Sequence, residues 1–288
     1  MNNGLLVIDK PSGYTSRDVV NIVSRFFNTR KVGHAGTLDP IATGVLVVAV
    51  NDGLKLLEYL SEEDKEYIAT VKLGITTDTL DVSGNILEKN DNYFVDQSKL
   101  KSVIESFKGK YLQEVPLYSS VRVNGKRLYK YAREKEEVVL PKREVEIFDI
   151  ELLEVNHDEF TFKAKVSKGT YIRSLIRDIG EKINLLCTMK NLRRTKQGIF
   201  SLEDSISIQD IENNRFKFIP SKNLLNNYPK VQADSEMEKK IINGAILDNI
   251  YGHDTLIFEN DKELLAIYGI YQKDNSKIKP IKVFKKRD

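Results

Sequence analysis

The sequence predicts an α+β fold: a mixed, largely antiparallel sheet core flanked by helices, with a small β-rich module at the C-terminal end. Three observations point there. Runs with strand periodicity (Lys65–Leu73, then 143–155 and Glu159–Val166 as a hairpin) are interleaved with runs of helical periodicity. No regular strand–helix beat links them, which disfavours a doubly wound parallel sheet. Pro220, Asn223, Asn226, Asn227 and Pro229 then mark a composition change, beyond which short strand-like runs dominate. The expected division is residues 1–225 and 226–288.

Residues 5–8 read as a short opening strand. Thr15 or Ser16 can cap the helix that follows, with Asp18 in its first turn at the positive end of the helix dipole. Val19, Ile22, Val23 and Phe26 recur at helical spacing, so a helix over 16–28 buries that stripe. Residues 45–50 are short, β-branched and nearly unbroken, as suits a strand buried on both faces. A short helix is expected at 52–60. The strand Lys65–Leu73 places Tyr67, Ala69, Val71 and Leu73 on one face, and residues 74–84 form a polar, turn-rich loop. A helix near 97–107 buries Val103, Ile104 and Phe107. The hairpin turns at Asn156-His157-Asp158, which makes His157 a turn residue. A helix at 171–183 buries Ile172, Leu175, Ile176 and Ile179, with Arg173 and Arg177 on another flank. In the terminal module a one- or two-turn helix at 236–242 precedes strand-like runs at 255–259, 263–269 and 280–284.

Composition narrows the function. A hydrophobic content of 41% supports a real core in a chain of 288 residues. No apolar run approaches the roughly 18 residues a membrane helix needs, and no signal-peptide pattern is seen, so a cytoplasmic protein is expected. Cys187 is the only cysteine, which rules out an intrachain disulfide and a Cys-rich zinc site, and His34, His157 and His253 lack ligand spacing. The net charge of +3 is uneven: residues 1–100 carry −4, residues 101–200 carry +7 and the remainder is neutral. The basic stretch mixes cations with aromatics (Arg122, Lys126, Arg127, Tyr129, Lys130, Tyr131, Arg133, Lys142, Arg143), a pairing suited to phosphates and stacked bases. Glu134, Glu136 and Glu137 interrupt it, so a solvated surface competes with that reading.

The most informative window is Gly33-His34-Ala35-Gly36-Thr37-Leu38-Asp39-Pro40-Ile41-Ala42-Thr43-Gly44. Glycines permit positive φ or close backbone approach, and Pro40 pushes Asp39 toward extended geometry. One carboxylate is thus held on a shaped loop beside a rigid strand. Locally this also fits an ordinary turn. The whole window, however, resembles the nucleophile motif of the TruB-type tRNA pseudouridine synthases, with Asp39 at the catalytic position. Further segments are similar to the same family: Lys10-Pro11-Ser12-Gly13-Tyr14-Thr15-Ser16, Lys65-Glu66-Tyr67, the 74–84 loop, Ser167-Lys168-Gly169-Thr170-Tyr171-Ile172-Arg173 and Asn191-Leu192-Arg193-Arg194-Thr195. One departure stands out: Val115-Pro116-Leu117-Tyr118-Ser119-Ser120-Val121-Arg122 replaces the family's PPxYSAxK.

The resemblance implies a pseudouridine synthase-like fold with a PUA-like RNA-binding module at 226–288. It implies conversion of uridine 55 in the TΨC loop of tRNA to pseudouridine, without cofactor, by a monomer needing no protein partner. That reaction needs no phosphoryl transfer or redox change, in keeping with the lack of a P-loop or dinucleotide fingerprint. Asp39 would act as the nucleophile, at C6 of the base, at C1′ of the ribose or on a 2′ proton. Arg173 would keep it ionised beneath a stacked base, Tyr67 would stack on the base and help move the C5 proton, and Tyr171 and Leu192 would line the pocket. A stacked uridine must be everted, and His34 would fill the space it vacates. Rival readings are a guide-RNA-dependent dyskerin-like synthase, a non-catalytic RNA-binding or tRNA-folding protein, and a glycosidase; the last usually needs two cooperating carboxylates, and no second one is marked here.

Overall fold

The computed structural model describes residues 3–220, 224–225 and 228–284. The chain opens with β1 (Gly4–Lys10), α1 (Ser16–Phe26), β2 (Val32–His34) and β3 (Thr43–Val50). A 3₁₀ turn at Asn51–Leu56 leads into α2 (Leu57–Ser61), so the helix expected at 52–60 is mostly 3₁₀. Gly53 lies there, with Gly4 O only 2.4 Å from where its Cβ would stand, and this close approach goes with the tighter coil. Next come β4 (Lys65–Leu73), β5 (Ile75–Thr77), β6 (Ile86–Lys89), α3 (Gln97–Glu105) and β7 (Gly109–Glu114). The expected polar loop at 74–84 therefore begins with a strand of its own. A small hairpin, β8 (Arg122–Val123) and β9 (Lys126–Arg127), runs into α4 (Leu128–Glu134). Then follow β10 (Lys142–Val155), β11 (Glu159–Val166), α5 (Ile172–Ile183), β12 (Cys187–Gln197) and β13 (Phe200–Ser201). After α6 (Ile208–Glu212), the terminal part contains β14 (Lys230–Gln232), α7 (Ser235–Ile242), β15 (Leu247–Asp248), β16 (Thr255–Glu259), β17 (Leu264–Ile270) and β18 (Lys277–Val283).

The main sheet runs β1-β3-β12-β4-β11-β10-β7, with β2 added to β3 and β13 to β12. Every pairing is antiparallel except β12 with β3, where Arg193 and Arg194 lie opposite Thr43 and Gly44. This is the expected mixed, largely antiparallel sheet. The second sheet, β14-β16-β17-β18-β15, makes the β-rich terminal module. The expected division after residue 225 abuts residues 226–227, which lie outside the described residues. Among the described residues no helix is long and apolar enough to cross a membrane.

Period-two geometry explains why β1 and β3 are apolar at nearly every position. Leu6, Ile8, Leu46, Val48 and Val50 face one core with α1 and α5, while Leu5, Val7, Val45, Val47 and Ala49 face the other way. On that second face they meet Leu224, Leu225, Ile257, Leu264 and Ile267, so the terminal module covers the back of the sheet. Helix α1 starts with a capping box in which Asp18 N–H donates to Thr15 Oγ1 (3.0 Å) and Thr15 N–H to Asp18 Oδ2 (2.9 Å). Its buried positions are Ser16, Val19, Val20 and Val23, with Ile22 and Phe26 only partly covered. All four apolar positions expected for α5 are buried, and so is Arg173.

Candidate active site

Asp39 sits in the connection between β2 and β3, and the chain before α1 grips this connection. Lys10 is fully buried, and its ammonium donates to Pro11 O (2.9 Å), Tyr14 O (2.6 Å) and Pro40 O (3.3 Å). Gly13 N–H donates to Pro40 O (2.9 Å), and Ser12 Oγ donates to Ile41 O (3.2 Å). Ser16, in the first turn of α1, accepts from Leu38 N–H (2.8 Å) and donates to Leu38 O (3.2 Å). The Lys10–Ser16 segment is thus a clamp on both sides of the carboxylate. Burial lowers the Lys10 pKa to about 8, opposed by the negative charge of Asp39.

From α5, Arg173 meets Asp39 bidentately, with Nε 2.9 Å from Oδ2 and Nη2 3.1 Å from Oδ1. The guanidinium side chain is 6% exposed and the carboxylate 30%. Arg173 also donates to Thr79 O (2.9 Å) and Tyr118 O (3.1 Å), so every edge of its fork is used. Two loops that differ in sequence from the α5 motif thereby hold the arginine in place. At the start of α5 the buried Gln113 donates to Tyr171 O (3.1 Å) and accepts from Tyr171 N–H (2.8 Å), replacing a side-chain cap.

These groups border a cavity of about 250 Å³. Asp39, Tyr67, Tyr171, Arg173 and Leu192 all line it. Two larger hollows, about 640 and 670 Å³, lie farther along α5 and touch none of the predicted site residues. His34 does not line the cavity. It is half-buried, and its Nδ1 accepts from Gly36 N–H (3.3 Å). Burial, reinforced by the charges of Arg194 and Arg17, lowers its pKa and favours the neutral ring. Sequence reasoning missed Tyr118, Ser119 and Tyr129 as lining residues. Tyr129 belonged to the basic-aromatic run, and Tyr118 and Ser119 to the 115–122 segment, so both windows carried the signal; the buried Ser119 hydroxyl has no partner among the described residues.

A carboxylate paired with a buried guanidinium, lining a cavity that tyrosine side chains also line, can hold a planar ring against the carboxylate. Residues 24–172 match the N-terminal domain of the TruB family pseudouridylate synthases, and residues 173–225 match the C-terminal domain of tRNA pseudouridylate synthase B. The tRNA pseudouridine synthase B of Clostridium tetani is 39% identical over 290 residues, covering 98% of this chain and 99% of the relative. That of Shouchella clausii is 39% identical over 295 residues, covering 98% of each. Among solved structures, a Cbf5-Nop10-Gar1 complex superposes with a TM-score of 0.75 at 27% identity, over 99% of this chain and 86% of that one. An H/ACA RNP bound to a substrate RNA containing 2′-deoxyuridine superposes with a TM-score of 0.74 at 26% identity, over 99% and 86%. The chain belongs to the TruB family and is a pseudouridine synthase, an isomerase.

Proposed function

We propose that this enzyme isomerises uridine 55 in the TΨC loop of tRNA, with Asp39 as nucleophile. The observation that carries the reading is the bidentate Asp39–Arg173 pair opening into a cavity that Tyr67, Tyr171 and Leu192 also line. The N1–C1′ bond breaks, the uracil turns and C5 bonds to C1′; the C5 proton leaves and N1 ends protonated. Asp39 starts this sequence, Arg173 offsets its charge in a site from which the stacked base excludes water, and Tyr67 holds the ring and helps the C5 proton depart. His34, neutral and on the same loop, takes the space the everted base leaves.

The tRNA names of the relatives agree with the charge of the rim. Arg133 lies over the Tyr129 ring (5.5 Å) and Arg143 over the Tyr171 ring (5.9 Å), both rings lining the cavity, and the charge of Arg17 acts on His34. None of the three has a carboxylate within 4 Å among the described residues, so they are free to meet phosphates. Residues 1–225 form the catalytic unit, and 226–288 form a PUA-like module that extends the RNA surface. The enzyme acts in the cytoplasm as a monomer, without cofactor or protein partner. A guide-RNA-dependent synthase is the second reading, favoured by the likeness to the Cbf5-Nop10-Gar1 complex.

The test is mass-spectrometric mapping of pseudouridine in a defined tRNA transcript incubated with the purified chain alone. Product at position 55 is expected, and Asp39→Asn is expected to bind the transcript and leave it unmodified. Wild-type-like conversion by Asp39→Asn would refute the nucleophile; conversion only with added guide RNA would favour the second reading.

A further inference from the structure

Among the described residues, one of the largest fully buried side chains is a charged one, Arg194, 1% exposed. No carboxylate lies within 4 Å of it among the described residues. A buried guanidinium without a counter-ion is costly unless its hydrogen-bonding capacity is met. Arg194 spends its fork on one stretch of main chain. Nε donates to Val45 O (2.7 Å), Nη2 to Gly36 O (3.1 Å) and Nη1 to Thr37 O (3.4 Å). The acceptors bracket Asp39 from both sides, two upstream and one downstream. Gln197, on the same strand, adds a bond from Nε2 to Ala35 O (3.0 Å).

The backbone of Arg194 is as constrained as its side chain. It lies opposite Gly44 in the parallel pairing with β3 and opposite Tyr67 in the antiparallel pairing with β4. Two residues earlier on the same strand, Leu192 lines the cavity. One residue therefore joins the nucleophile loop to the strand of the stacking tyrosine. Gly44 accommodates the contact: a Cβ there would stand 2.2 Å from Arg194 O.

We infer that Arg194 is a positioning residue, a planar fork that holds the Gly36–Val45 main chain so that Asp39 keeps its place relative to Tyr67 and Arg173. Through its buried charge it also raises the positive potential behind the nucleophile, where Lys10 already lies. A guanidinium can reach three carbonyls in fixed directions, and an ammonium on a flexible stem cannot hold the same three. Charge alone is then insufficient, and lysine does not replace the residue.

This inference rests on the reading of Asp39 as nucleophile, and the experiment separates the two. Arg194→Lys and Arg194→Met are compared with wild type in single-turnover pseudouridine formation at saturating tRNA, together with tRNA Kd, Tm and amide hydrogen exchange. The expected result is a loss of about 100-fold in the turnover step for both variants, with Kd within about threefold. Exchange at Ala42, whose N–H bonds Asp39 O (3.0 Å), should speed up while exchange within α5 stays unchanged. If Arg194→Met is not recovered folded, Arg194→Lys decides alone. A Lys variant that turns over like wild type, or a rate loss matched by an equal loss of tRNA affinity, would overturn the positioning role. An active Asp39→Asn enzyme would instead overturn the nucleophile reading, whatever the Arg194 variants do.

Discussion

Lys10 is the residue on which acidity and geometry meet most directly. Its ammonium is held among three carbonyls, and its pKa falls to about 8 because burial penalises the charge more than Asp39 relieves it. Between pH 8 and 10.5 the unfolded chain keeps this proton and the folded chain does not. The contribution of Lys10 to stability therefore rises with pH across that window. Activity should move the other way. Deprotonation removes a donor and a positive charge from the Asp39 loop, so the single-turnover rate should decline above pH about 8. Lys10→Met should be slower throughout and lack this decline. Denaturant unfolding at pH 7 and 9.5 should show wild type gaining on the Met variant at the higher pH. A wild-type rate profile parallel to that of Lys10→Met would dispose of the role.

At the scale of elements, the join between β3 and β12 decides the geometry of the site. The parallel pairing is only two residues long, and it brings Gly44 against the Arg194 main chain with φ +103°. An L side chain is strained at that angle even before the contact is counted. Gly44→Ala should therefore lower the unfolding free energy by roughly 3 kcal/mol and cost most of the activity. Urea unfolding with turnover assays checks both, and a variant as stable and active as wild type would mean the strands can part without consequence. The opposite case is Gly13, also at positive φ but with nothing within 4 Å of a Cβ. Only its backbone angle argues for glycine there.

For the whole molecule, the terminal sheet is more than an appendage. It covers Leu5, Val7, Val45, Val47 and Ala49, the reverse face of the strands next to Asp39. Lys55 reaches across to Val283 O (2.8 Å), and Lys282 to Glu58 (3.2 Å). Each core side chain uncovered forfeits about 1.5–3 kcal/mol, against a total stability of about 5–15 kcal/mol for a domain. A chain ending at residue 225 should accordingly lose activity on a short TΨC stem-loop, bind a hydrophobic dye and melt well below the full chain. Thermal unfolding and the stem-loop assay test this, and a truncated enzyme with full stability would mean that the two parts are independent.

The sequence by itself determined the α+β class, most of the hydrophobic faces of α1 and α5, and five of the residues that meet at the cavity. Asp39, Tyr67, Tyr171, Arg173 and Leu192 were legible because each lies in a short contiguous window whose order of residues is distinctive. Strand β12 was not legible, since Thr188, Arg194 and Gln197 are buried polar residues and break the alternation that marks a strand. Tertiary structure alone decided how Lys10, Thr79, Tyr118 and Arg194 serve the site. Lys10 and Arg194 donate to main-chain carbonyls up to 158 residues away, Thr79 and Tyr118 offer their own carbonyls to Arg173, and a carbonyl has no identity in a sequence. What joins them is the folded path of the backbone, which exists only once the sheet has closed.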